Sequence, residues 1–240
     1  MDMNHLRKTI LIFFLFAPAY GQNPSVPVHF SGTDGFRLKG NYYEAAAPGP
    51  GILLLHQCDR EGPLTGFENL ATKLAQRGFH VLTFDFRGYG ESRNNQFTGE
   101  NWQEAGKFFP TDTEAAYRFL ISQPKVIRDR IGVGGASCGG RRAILLAGEH
   151  PEIKTLVLIS GSARDPIQEA LRTIQDRPVL CVVSQQDSAA VRAMKRVFDN
   201  STSPESRCIT YKGSLHGTPL FSHDEHLEQT LVDWYEKYLR

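Results

Sequence analysis

Surplus charge is what this sequence most lacks. Its 27 Lys and Arg stand against 26 Asp and Glu, a formal net charge of +1. Such a balance offers no general attraction to nucleic acid or to an acidic membrane surface. Internal repeats and low-complexity tracts are also missing, which argues against a structural envelope protein. Cysteine is scarce: Cys58, Cys138, Cys181 and Cys208 have no close metal-ligand spacing, so no zinc site is expected. The apolar run from Ile10 to Phe16 falls short of the roughly 20 residues needed to span a bilayer.

What is present is an ordinary globular composition, 40% hydrophobic and 22% charged over 240 residues, enough for one sizeable core. The N-terminus differs in kind. His5, Arg7 and Lys8 precede the apolar run, and the small-residue stretch Ala17-Pro18-Ala19-Tyr20-Gly21 follows it. This pattern predicts a secretory signal peptide over residues 1–21, cleaved before Gln22. A single domain over 22–240 is then expected, exported to the periplasm or the medium and not retained in the membrane. In such a compartment disulfides persist, and four cysteines allow three fully paired connectivities.

Along the mature chain, Val26 to Phe30 and Phe36 to Tyr43 read as strands joined through an Asp34-Gly35 hairpin signal. Ala45 to Gly51 reads as a turn. Short apolar runs then alternate with helical segments: Ile52 to Leu55, Phe67 to Arg77, Val81 to Phe84, Thr113 to Ser122, Ile131 to Gly134 and Cys138 to Glu149. Further on come Thr155 to Ile159, a short helix around Pro166 to Gln175, Val179 to Val183, Val191 to Phe198, Cys208 to Tyr211 and Asp224 to Leu239. The alternation predicts an α/β fold with a mainly parallel sheet covered on both faces. In the last helix Asp224 and Glu225 are expected in the first turn, where the helix dipole favours acids.

The segment Gly135-Ala136-Ser137-Cys138-Gly139-Gly140 joins a strand to a helix through a sharp turn. A nucleophile on such an elbow has a strained backbone, and glycines two residues to either side remove the Cβ atoms that would clash. Ser137 is then presented at a helix N-terminus, where backbone N–H groups favour developing negative charge. A serine hydroxyl needs a base, and the base an orienting acid. Asp187, in the loop Ser184-Gln185-Gln186-Asp187, and His216, in Gly213-Ser214-Leu215-His216-Gly217, each follow a late strand in the expected order. Asp165, after the preceding strand, is the alternative acid.

Phe84-Asp85-Phe86-Arg87-Gly88-Tyr89-Gly90-Glu91-Ser92 and Leu53-Leu54-Leu55-His56, together with the elbow and the Asp and His loops, resemble α/β-hydrolases over nearly all of the mature chain. The dienelactone-hydrolase-like and small serine esterase branches are the most similar. The resemblance implies an eight-stranded sheet with an antiparallel N-terminal hairpin and a minimal cap, since only residues 161 to 177 lie between the strands ending at Ser160 and beginning after Pro178. It implies a Ser137-His216-Asp187 triad that hydrolyses small carboxylic esters or related acyl compounds through an acyl-enzyme, with no cofactor or metal. It also implies an oxyanion hole built on the backbone N–H of Cys138 and that of Cys58 or Gln57. Where the family reads His-Gly, this chain reads His56-Gln57, and His56 is taken as a hydrogen-bonder inside the loop. Two alternatives stand: Cys138 as nucleophile, as dienelactone hydrolases use cysteine at the elbow, and a non-catalytic binding protein on the same fold.

If Cys58 and Cys138 share the oxyanion hole, the resemblance brings them close enough for a disulfide, with free buried thiols as the other possibility. Cys181 and Cys208, on neighbouring strands, are expected reduced and buried. Phe97, Trp102, Phe108 and Phe109 are expected to supply hydrophobic contacts to an open, shallow substrate pocket, or else to pack as an ordinary loop.

Overall fold

A computed structural model describes residues 25–58, 66–98 and 101–240. The expected signal segment, residues 1–21, lies outside the described residues. The elements in chain order are β1 (Val26–Ser31), β2 (Arg37–Tyr43), β3 (Gly49–Leu55), α1 (Glu68–Gln76), β4 (His80–Phe84), α2 (Trp102–Gly106), α3 (Phe109–Ser122) and β5 (Val126–Ala136). There follow α4 (Cys138–Glu149), β6 (Ile153–Ile159), α5 (Gln168–Thr173), β7 (Val179–Ser184), α6 (Ser188–Asn200), β8 (Arg207–Tyr211), α7 (Leu220–His223) and α8 (Leu227–Leu239). The strands form one eight-stranded sheet in the order β1-β2-β4-β3-β5-β6-β7-β8. β2 runs antiparallel to both its neighbours, and all later pairings are parallel.

Side chains alternate across each central strand, so one sequence feeds two cores. Leu53, Leu55, Leu156, Leu158, Cys181 and Val183 face α3, α4, α5 and α6. Their neighbours Ile52, Leu54, Val157, Ile159, Leu180 and Val182 face α1 and α8. Both faces being buried, these strands read as unbroken apolar runs. On β5 the pattern is thinned by glycine, because a Cβ at Gly132 would lie 2.8 Å from the Tyr235 ring and one at Gly134 only 2.7 Å from its hydroxyl. α8 thus lies directly on the strand that delivers Ser137. Among the described residues no helix is long and apolar enough to cross a membrane.

Three local expectations are corrected. Gly49, Pro50 and Gly51 belong to β3 and not to the preceding turn: the Gly49 N–H donates to Lys125 O at 3.0 Å, and Gly49 and Pro50 register with Val126 and Ile127 at the start of an extended β5. Asp224 and Glu225 precede α8. Asp224 accepts instead from the Tyr211 hydroxyl (2.6 Å) and the His226 N–H (2.9 Å). Cys208 is a free thiol but exposed, because β8 is the edge strand, whereas its register partner Cys181 is free and buried.

The motif after β4 has a structural basis. Arg87 is 1% exposed. Its guanidinium donates to Asp34 and Asp112, with the second contact at 2.8 Å, and its centre lies 4.2 Å from the Phe36 and Phe108 rings. Phe109 stacks on Phe86 at 4.6 Å between centroids. Of the aromatic residues expected either at the substrate pocket or in ordinary packing, Phe97 and Phe108 thus lie against a buried cation, while Phe109 and Trp102 extend the core.

Candidate active site

The C-terminal ends of β3, β5, β7 and β8 converge on one edge of the sheet. Ser137 occupies the turn between β5 and α4 at φ 50°, a left-handed conformation that costs a non-glycine residue of order 1 kcal/mol or more. The turn closes only around glycine. A Cβ at Gly135 would lie 2.3 Å from Gly139 O, and one at Gly139 would lie 2.2 Å from Leu55 O. The elbow is fixed by the Ser137 N–H donating to Ile159 O and by Ser137 O accepting from the Gly140 and Ser162 N–H groups, at 3.0, 3.1 and 3.0 Å.

Asp187 caps α6: its Oδ1 accepts from the Ala190 N–H at 3.2 Å. Its Oδ2 lies 2.5 Å from His216 Nδ1. One carboxylate therefore both caps the helix and contacts the imidazole. The loop that carries His216 is held by the Ser184 hydroxyl, which donates to Leu215 O at 2.7 Å, and by Gln186 N–H, which donates to Gly213 O at 2.9 Å. His216 Nε2 stands 2.8 Å from Ser137 Oγ. With the proton on Nδ1 facing Asp187, the Nε2 lone pair faces the serine hydroxyl. Asp165 is elsewhere, paired with Arg196 at 2.7 Å, so it is not the partner of His216.

The segment after β3 is tied at three consecutive residues. His56 is buried; its Nε2 accepts from the Phe86 N–H (2.9 Å) and its Nδ1 donates to Gln57 O (2.6 Å). Gln57, standing where the family pattern has glycine, accepts with its Oε1 from the Thr218 N–H at 3.0 Å, two residues beyond His216. Cys58 forms a disulfide with Cys138, the first residue of α4, across 80 positions of sequence. The Cys138 N–H is among the four that an α-helix leaves without an internal acceptor.

Burial holds the His56 imidazole neutral, its pKa pushed down to about 4 from 6.5. The unfolded chain therefore binds more protons than the folded one between these values. The stabilisation is present above pH 6.5 and is lost as pH falls toward 4, by about 3 kcal/mol for this group. Urea unfolding at pH 7.5 and 4.5 should show this loss as the difference between the unaltered protein and His56→Gln, since Asp112, raised by burial to about 6, acts in the opposite direction but equally in both. Equal dependence in the two proteins would contradict it. His80, its pKa also lowered by burial, contributes in the same way to both proteins.

The site opens onto a cleft of about 540 Å³ lined by Ser137, His216, the Ser160–Arg164 segment after β6 and one face of α6. Sequence reasoning missed this wall. The spacing Ala189, Arg192, Ala193 and Arg196, immediately past Asp187, was the available signal, since it places these residues on one helical face.

Comparison with known proteins places this architecture. A protein of Mycobacterium tuberculosis (strain CDC 1551 / Oshkosh), MT2364, is 32% identical over 206 residues, covering 78% of this chain and 70% of that protein. The family described as serine aminopeptidase, S33, matches residues 64–176. The chain belongs to the α/β-hydrolase family. YfhR of Escherichia coli O157:H7 is 27% identical over 170 residues, covering 66% of this chain and 57% of YfhR, so this α/β-hydrolase matches a little over half of that relative's length. Among solved structures, a dienelactone hydrolase from Anabaena variabilis aligns with a TM-score of 0.71 at 22% identity, over 91% of this chain and 100% of that one. That likeness is one of fold.

Proposed function

We propose that this α/β-hydrolase is an exported serine hydrolase that cleaves carboxylic esters of small substrates. The contact that carries the reading is Ser137 Oγ to His216 Nε2 at 2.8 Å, with His216 Nδ1 on Asp187 at 2.5 Å. The Ser137 oxygen attacks the ester carbonyl while His216 Nε2 takes its proton. The tetrahedral oxyanion is stabilised by the Cys138 N–H and by an N–H of Cys58 or Gln57. As the tetrahedral species collapses, the bond to the alcohol breaks and His216 protonates the departing oxygen, leaving an acyl-Ser137 ester. Water, deprotonated by His216, then attacks that ester, and the acid leaves as the proton returns to Ser137.

Cys138 is not available as a nucleophile while its sulfur is bonded to Cys58, which favours serine over the cysteine alternative. The disulfide also suits the exported location read from His5, Arg7, Lys8 and the apolar run after them. The test is a fluorophosphonate probe on the oxidised protein, located by peptide mass spectrometry, alongside p-nitrophenyl acetate and butyrate turnover. Label on Ser137 with turnover is expected. Folded protein that neither labels nor turns over would leave the binding-protein reading in its place.

A further inference from the structure

The cleft beside Ser137 has an unusual lining. Among the described residues its walls are glycine, alanine and serine, and the long side chains besides His216 are Arg164, Arg192 and Arg196. Among the described residues no aromatic or branched aliphatic side chain lines it, and no carboxylate does. Small-molecule pockets are ordinarily lined by apolar and aromatic groups with a few polar ones, so this composition does not suit a long hydrocarbon acyl chain.

The arginines divide into two kinds. Arg196 is committed to the wall itself: it donates to Ala163 O at 3.0 Å, to Asp165 Oδ1 at 2.7 Å and to Gln168 Oε1 at 3.1 Å. Arg141, from α4, braces the same loop by donating to the carbonyls of Arg164 (3.0 Å) and Asp165 (3.3 Å). These contacts fix the loop backbone and use up Asp165. The Asp187 carboxylate is likewise taken up by His216 and the α6 N-terminus. The guanidiniums of Arg164 and Arg192, one from each wall, have no hydrogen bond or ion pair to any described residue. Two guanidiniums without a partner among the described residues, flanking Ser137, draw anions by their field and grip planar or tetrahedral oxyanions through paired N–H donors.

We propose that the Ser137 cleft selects esters that carry an anionic group, carboxylate or phosphate, away from the scissile bond, and that Arg164 and Arg192 hold that group. The proposal rests on the serine hydrolase reading and names its substrate class. Arg192 lies about one and a half helical turns beyond Asp187, on a helix whose first turn is fixed by that residue. The anionic group is therefore held on a rigid element, and the acyl carbonyl is oriented toward Ser137 from a fixed point.

The test compares mono-p-nitrophenyl glutarate with its neutral isostere p-nitrophenyl 4-carbamoylbutyrate. At low salt kcat/KM should favour the carboxylate ester by about tenfold or more, and added salt should shrink the ratio. In the double variant Arg164→Gln/Arg192→Gln the ratio should fall close to one. A ratio near one in the unaltered protein, or a large ratio that survives the double variant, overturns the subsite while leaving the hydrolase reading intact. A Ser137→Ala protein then allows binding to be measured without turnover, by calorimetry with glutarate and with inorganic phosphate. Glutarate binding alone, lost in the arginine variants, marks a carboxylate subsite; binding of both marks a general oxyanion subsite; binding of neither overturns it. If neither ester is cleaved by the unaltered protein, it is the hydrolase reading that fails.

Discussion

Replacing Asp187 with asparagine is expected to lower kcat by about 10⁴-fold with little loss of stability, because the two duties of this residue separate by chemistry. The cap on α6 needs only an acceptor for the Ala190 N–H, and an asparagine carbonyl supplies one. The contact with His216 Nδ1 needs an acceptor and a negative charge. Asparagine caps with its oxygen and so turns its NH₂ toward the imidazole. That contact favours the tautomer with the proton on Nε2, which then faces Ser137 with no lone pair to receive a proton. Asp187→Ala removes both duties, so it should lose activity and also about 1 kcal/mol of stability from the missing cap. Steady-state turnover of p-nitrophenyl butyrate and thermal unfolding of the two variants separate the effects. If Asp187→Asn keeps activity within tenfold of the unaltered protein, the residue is a helix cap and nothing more.

The parts of this site that the sequence discloses are those with local causes. The elbow is legible because the strand, the turn glycines and the helix are contiguous, and α4 runs over the expected Cys138 to Glu149. β6 and β7 are legible because buried parallel strands are short apolar runs, and β8 as the short strand-like run that follows the next helix. Asp187 and His216 are legible as positions, each just past such a strand, but their approach to 2.5 Å depends on β7 and β8 being neighbours. Illegible features are those in which a local signal is outweighed by a distant partner. Asp224 sits where an acid suits a helix start, yet Tyr211 claims it from the next strand over. Phe97, Trp102, Phe108 and Phe109 read in the sequence either as a pocket lining or as loop packing; Arg87, buried between Asp34 and Asp112 with Phe97 and Phe108 near its guanidinium, goes with the packing reading. Cys208 looks like its partner Cys181 until strand order puts β8 at the edge.

Reducing the Cys58–Cys138 bond is expected to lower kcat/KM by about 100-fold, the scale of one lost oxyanion donor, reversibly and at temperatures where the protein stays folded. The segment after β3 reaches the site on three ties: His56 to the Phe86 N–H, Gln57 to the Thr218 N–H and Cys58 to Cys138. The first anchors it to the turn after β4, the second to the loop of His216, and the third to the residue beside Ser137. Only the third sets the spacing between the two backbone N–H groups proposed to hold the oxyanion, so its loss should act on the transition state more than on substrate binding. It should therefore appear in kcat with KM little changed. A crosslink across 80 residues also contributes about 4 kcal/mol by restricting the unfolded chain, so a Cys58→Ser/Cys138→Ser protein should melt earlier as well as work more slowly. Reduction and reoxidation of the unaltered protein separates these roles. Activity that falls as the thiol count rises and returns on reoxidation, with the circular dichroism unchanged, places the bond in the oxyanion geometry; full activity in the reduced, folded protein confines it to stability.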